Sequence, residues 1–140
     1  MTARWMLIWM LRLTGGAMLT ALAFVFCPFE WMASIHQRIG MGELAYTPLL
    51  SYLTRTLAAM YASMGVIVLF VSFDIDRYRP LIRCVGVLAI LGGLGVTALD
   101  AGLRLPVFWT ALEGPLTVLL GVVLLILARA SHGDSIPRAT

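Results

Sequence analysis

Four runs of about twenty apolar residues, near 5–27, 49–73, 81–102 and 106–128, limit what this chain can become more than any other feature. Each is long enough to cross a hydrocarbon core of about 30 Å as a helix. Lipid offers the backbone no water, so such runs fold as helices that close their own hydrogen bonds. With 61% hydrophobic and 12% charged residues in 140, the chain is predicted to be an integral membrane protein. Its size allows one domain, over 1–130.

Prolines mark the helix starts. Thr47-Pro48, Arg79-Pro80 and Leu105-Pro106 each place proline at or near a first helical turn, where its missing N–H leaves nothing unsatisfied. The connections at 74–79 and 103–105 are short, which makes the flanking helices antiparallel neighbours and predicts an all-α, up-down four-helix transmembrane bundle. The first run exceeds a signal-peptide core, and bulky Phe24, Val25 and Phe26 precede Cys27, so it is expected to be retained as a helix. The long connection 28–47 carries Trp31, Met32, Ile35 and Ile39 at helical spacing before Gly40, predicting a short outer interfacial helix over about 29–39. Residues 131–140 lack periodicity and are expected to form a disordered cytoplasmic tail.

Orientation follows from the arginines. Arg4, Arg12, Arg77, Arg79, Arg83, Arg129 and Arg138 fall on one side, against Arg38, Arg55 and Arg104 on the other. The positive-inside rule then puts both termini in the cytoplasm. The chain has ten arginines but no run of them with interleaved aromatics, so nucleic acid is not an expected partner.

Charges inside the spans are the candidate functional residues. Gly114 to Ala128 supply only fifteen residues before Arg129, roughly 22 Å of helix, which sinks Glu113 below the outer boundary. Arg55, Asp100 and Glu113 fall in one outer depth band on three helices, and intramembrane charges usually face the bundle interior and pair. Trp109, Thr110, Glu113 and Thr117 share a face, and Gly114-Pro115 permits close approach and removes a helix bond. The cluster reads either as a clamp between helices or as a ligand or proton site. In the second reading Arg55, Asp100, Trp109 and Glu113 are the binding candidates, with Glu113 carrying the proton.

At the opposite face Asp74, Asp76, Arg77, Arg79 and Arg83 crowd a turn around Tyr78. Together with Arg12, which is expected to reach Asp74, they form a structural charge network suited to anionic headgroups, with a binding surface for a partner subunit as the alternative. Ala89, Gly93 and Thr97, and Ala17 with Ala21, form small-residue stripes for helix packing.

Several chemistries lack their residues. Cys27 and Cys84 belong to opposite membrane faces, and so do His36 and His132, which removes a disulfide and paired haem ligands. There is no C-x-x-C, no ligand spacing typical of zinc and no serine–histidine pair at one depth. Glu30, His36 and Glu43 read as a solvated outer segment rather than a metal site.

Taken together, "CPFEWMASIHQRIGMGEL" (27–44), "SYLTRTLAAMYASMG" (51–65), "SFDIDRYRPLIR" (72–83) and "FWTALEGP" (108–115) resemble a family of small, uncharacterised bacterial four-helix membrane proteins. In size and helix layout the chain is also similar to DoxX-like and BphX-like proteins. The latter resemblance implies a quinone or a membrane redox partner. The function expected is a non-catalytic membrane module or accessory subunit that meets lipids, a membrane protein partner or further copies of itself. A quinone-linked redox protein and a small proton-coupled transporter are the alternatives.

Overall fold

The computed structural model describes residues 2–133. Among these it is all-helical, with α1 Ala3–Leu19, α2 Leu22–Phe26, α3 Phe29–Arg38, α4 Pro48–Val71, α5 Arg79–Gly102 and α6 Val107–Gly133. Four segments are long and apolar enough to cross a membrane: Ala3–Phe26, Pro48–Val71, Arg79–Gly102 and Val107–Ser131. The fold class expected from the sequence is consistent with this layout.

Two expected boundaries move. The first span is interrupted after Leu19, where the Thr20 hydroxyl donates to the Ala17 carbonyl at 2.6 Å and the Ala21 N–H bonds Met18 three residues back. These tighter i to i+3 bonds end one helix and begin the next without a loop. Residues 131–133, expected to belong to the disordered tail, are helical because α6 continues through Gly133; the rest of that expected tail, 134–140 with Arg138, lies outside the described residues. Pro115 sits inside α6, which runs through it without a break.

The single expected domain resolves into two compact units, Arg12–Phe70 and Met1–Leu11 with Val71–Thr140. In the first, α1 and α4 meet backbone to backbone. A methyl added at Gly65 would lie 2.7 Å from the Gly15 carbonyl oxygen, and one at Gly15 would lie 2.9 Å from the Gly65 carbonyl oxygen. The contact residue on α1 is therefore Gly15, and not the expected Ala17 with Ala21.

Local chemistry sets the ends of α3 and α4. Gly40 has φ +82°, and the Met41 N–H reaches the His36 carbonyl while the Gly40 N–H reaches Gln37, a Schellman ending that stops α3. Thr47 accepts the Leu50 N–H at 3.1 Å through its hydroxyl and so caps α4, with Pro48 as the first helical residue. On α3, Phe29 and Met32 are buried, and Phe29 meets Tyr46 edge to face at 5.1 Å. Trp31, Ile35 and Ile39 remain exposed.

In the second unit α5 and α6 pack antiparallel along glycines. Methyls at Gly86 and Gly93 would meet Leu125 at 2.9 Å and the Gly114 carbonyl oxygen at 2.7 Å. One at Gly121 would meet the Gly86 carbonyl oxygen at 2.6 Å. Four glycines thus let two backbones touch where lipid tails supply no hydrophobic drive to associate. Of the expected Ala89, Gly93 and Thr97 stripe, Gly93 and Thr97 make this contact; Ala89 is half-buried.

Candidate functional site

Arg55 lies two turns into α4, and its guanidinium is half-buried. It donates to the Val25 carbonyl, to the Cys27 carbonyl at 3.0 Å and to the Ser51 hydroxyl at 3.4 Å. The two carbonyls are at the end of α2, where a helix leaves acceptors unsatisfied and carries partial negative charge. A cation there ties the α2–α3 corner to α4. The fork of the guanidinium is engaged by backbone oxygens, where the sequence suggested carboxylates.

Asp100 and Glu113 belong to the other unit, and they differ sharply. Asp100 is on the α5 face that packs on α6 and is 4% exposed; its Oδ2 has no hydrogen-bond partner among the described residues. Its own carbonyl takes the Leu105 N–H at 3.0 Å, while the Arg104 N–H bonds Ala101 at 3.2 Å. This Schellman ending puts Arg104 in the left-handed region, at φ +56°. The turn into α6 is consequently tight, and it closes over Asp100 from the chain's own backbone.

Glu113 corrects the inward placement expected of it: its side chain is exposed, with no partner among the described residues. The reason is a single step of about 100° around the helix. Gly114 faces α5 and Glu113 therefore cannot. Trp109 is half-buried with its ring edge-to-face on Phe108 at 6.4 Å, and the Thr117 hydroxyl donates to the Glu113 carbonyl at 2.7 Å within its own helix. The polar stripe of α6 is real as a pattern, but the buried acid is Asp100. A crevice of about 630 Å³, lined by Thr97, Ala101, Arg104, Thr110, Ala111 and Pro115, opens beside it on one flank of the α5–α6 pair.

The opposite end of the same unit carries the charge network. Asp76 is its hub, paired with Arg4 and, at 2.5 Å, with Arg79. Arg79 also donates to the Ala128 carbonyl at 3.3 Å, which pins the start of α5 to the end of α6. Asp74 accepts the Arg77 N–H at 3.1 Å, closing the turn, and the Arg77 guanidinium is 5.8 Å from the centre of the Tyr78 ring. Arg4 is the member that sequence reasoning missed; it is distant along the chain, and only its membrane side gave a signal. Arg83 is exposed, and Arg12 belongs to the other compact unit.

Arg4, by hydrogen bonding to Asp76, holds that carboxyl below its ordinary value of 3.8; partial burial opposes this and Arg79 adds to it. A depressed folded-state pKa stabilises the protein above the unfolded value and is lost as pH falls through the folded one. Melting temperature is thus expected to be flat above about pH 4 and to decline below it. Asp76→Asn should shrink that acid-side decline; an unchanged pH profile in the variant would count against the assignment. The pair is nearly half exposed, so screening keeps the effect small.

Two crevices of the first unit bear on the outer segment. One of about 330 Å³ is apolar and lined by Phe24, Met32, His36, Leu57 and Tyr61 among others; the second, of about 450 Å³, includes Glu30 and Glu43. His36 Nδ1 lies 3.1 Å from the Gly42 carbonyl oxygen. No group of three metal-ligating side chains occurs among the described residues. No protein-family model, curated protein or solved structure matches the chain.

Proposed function

We propose that the protein is a non-catalytic, multi-pass module of the bacterial inner membrane, with both termini cytoplasmic, that serves as an accessory subunit to another membrane-embedded protein. The observation that carries this reading is how little of each span the chain covers itself. Between 11% and 28% of the residues in each spanning window are buried. Gly16, Gly92 and Gly95 face open space on helices that carry Gly15, Gly86 and Gly93 in close helix contact, so a neighbouring helix can approach them equally closely. The arginine asymmetry supports the orientation.

Purification from native membranes in a mild detergent tests the proposal. A stoichiometric partner polypeptide is expected, lost on Gly95→Phe while the α5–α6 pair still folds. Recovery of the chain alone would refute the accessory role.

A quinone-linked role is the second reading, and one observation favours it. The buried Asp100 oxygen lacks a donor among the described residues and would accept a hydrogen bond from a quinol hydroxyl admitted by opening of the α5–α6 turn, whereas exposed Glu113 has no such unmet need. Quinone in the organic extract of the purified protein, lost on Asp100→Leu, would select this reading over the first.

A further inference from the structure

We propose that the arginine-rich end of the α5–α6 pair holds an anionic glycerophospholipid, its phosphodiester between Arg83 and Arg129 and its acyl chains along the flank the two helices share. The membrane-spanning character of the helices is enough for this inference; it does not depend on the accessory role.

The two arginines come from different helices but sit within about a turn of one level and on one side. The level follows from the packing. Arg79 bonds the Ala128 carbonyl, and Gly86 abuts Leu125, so Arg83, between those positions on α5, lies beside the last turns of α6. The side follows from helix periodicity. Arg83 and Ala101 are eighteen residues apart on α5, and so are Ala111 and Arg129 on α6; at 3.6 residues per turn each interval is five turns and returns to the same flank. Ala101 and Ala111 line one crevice. Arg83 and Arg129 therefore share the flank on which that crevice opens.

Availability separates these two from their neighbours. Arg4 and Arg79 are engaged by Asp76, and Arg79 also by a backbone carbonyl. Arg83 and Arg129 are exposed and have no partner among the described residues. Close helix approach at Gly86 and Gly121 brings the two stems near one another, and guanidinium forks match phosphate oxygens. Toward the membrane interior the same flank presents Val87 and Leu94 on α5 and Val122 and Ile126 on α6, all exposed and apolar. A cationic pair above an apolar furrow fits an anionic lipid better than a soluble phosphate, which would leave the furrow unfilled.

The test uses the full-length protein in phosphatidylcholine bilayers containing a minor fraction of phosphatidylglycerol, with lipid retained after extraction into neutral detergent measured by native mass spectrometry. The wild type is expected to retain phosphatidylglycerol in preference to phosphatidylcholine. Arg83→Gln with Arg129→Gln should lower that retention about 30-fold, the combined membrane-surface attraction of two arginines. The double lysine variant should keep most of it, and Arg38→Gln, on α3, should change nothing. Helicity and melting in pure phosphatidylcholine verify that the double variant folds; if it does not, the two single glutamine variants decide, each expected to lose about fivefold. Equal retention of both lipids, retention unaffected by the glutamine variants, or displacement by soluble glycerophosphate would overturn the proposal.

Discussion

Gly114→Ala is expected to destabilise the protein by about 3 kcal/mol, at the upper end of what one added methyl does to a packed core. The new carbon would lie 2.6 Å from the Gly93 carbonyl oxygen and 2.8 Å from the Thr97 nitrogen, both of them backbone atoms. A flexible side chain can swing aside, but here two helices must separate along the contact that also includes Gly86 and Gly121. Gly92→Ala and Gly95→Ala are the matched controls: a methyl at either meets nothing within 4 Å. They should be neutral or stabilising by up to about 1 kcal/mol, through helix propensity alone. Denaturant titration in mixed micelles, followed by circular dichroism, measures all three. Similar losses across the set would mean that α5 and α6 do not pack on this glycine face.

The second large effect is at Arg55. Replacing it with Met keeps much of the stem but removes both hydrogen bonds to the α2 carbonyls, and bonds from a charged donor contribute about 1.5–3 kcal/mol each. A loss of about 3 kcal/mol is expected, with faster amide exchange concentrated at the α2–α3 corner. Arg55→Lys should recover only part, because an ammonium cannot present the planar fork that reaches Val25 and Cys27 together. Exchange that rises uniformly over the chain, or a neutral Arg55→Met, would show that the clamp is not where the geometry puts it.

The sequence made the four spans legible because their signal is dense: twenty apolar residues can hardly be mistaken, and Pro48, Pro80 and Pro106 fix the starts to within a residue or two. Gly40 was equally readable as the stop of α3, since a helix end there needs a left-handed residue, whereas the Thr47 cap does not stand out beside Pro48. What the sequence could not convey was rotation. Depth along a helix follows from counting, but the face presented to a neighbour turns by about 100° per residue. Glu113 and Gly114 are adjacent, and only their partner helix decides which is buried. The same ambiguity kept Asp100, named as a candidate beside Glu113 in one depth band, from being told apart from it; its burial comes from the face it shares with Gly93. Arg55 illustrates a further limit: its partners are backbone carbonyls exposed by the end of α2, and that end lies inside an apolar run that reads as one continuous helix.

Two faces thus emerge for α5, one committed to α6 along Gly86 and Gly93 and one open at Gly92 and Gly95. The proposed accessory role requires the open face of α5 to meet another membrane protein. A photo-crosslinking amino acid placed at Gly95 and illuminated in native membranes probes that face, with the same substitution at Leu94, exposed at the same depth but about 100° around the helix, as a control for chance encounters. One discrete protein adduct is expected at position 95, in yield well above that at position 94. Adducts with lipid alone, or a smear of many proteins equal at both positions, would contradict it.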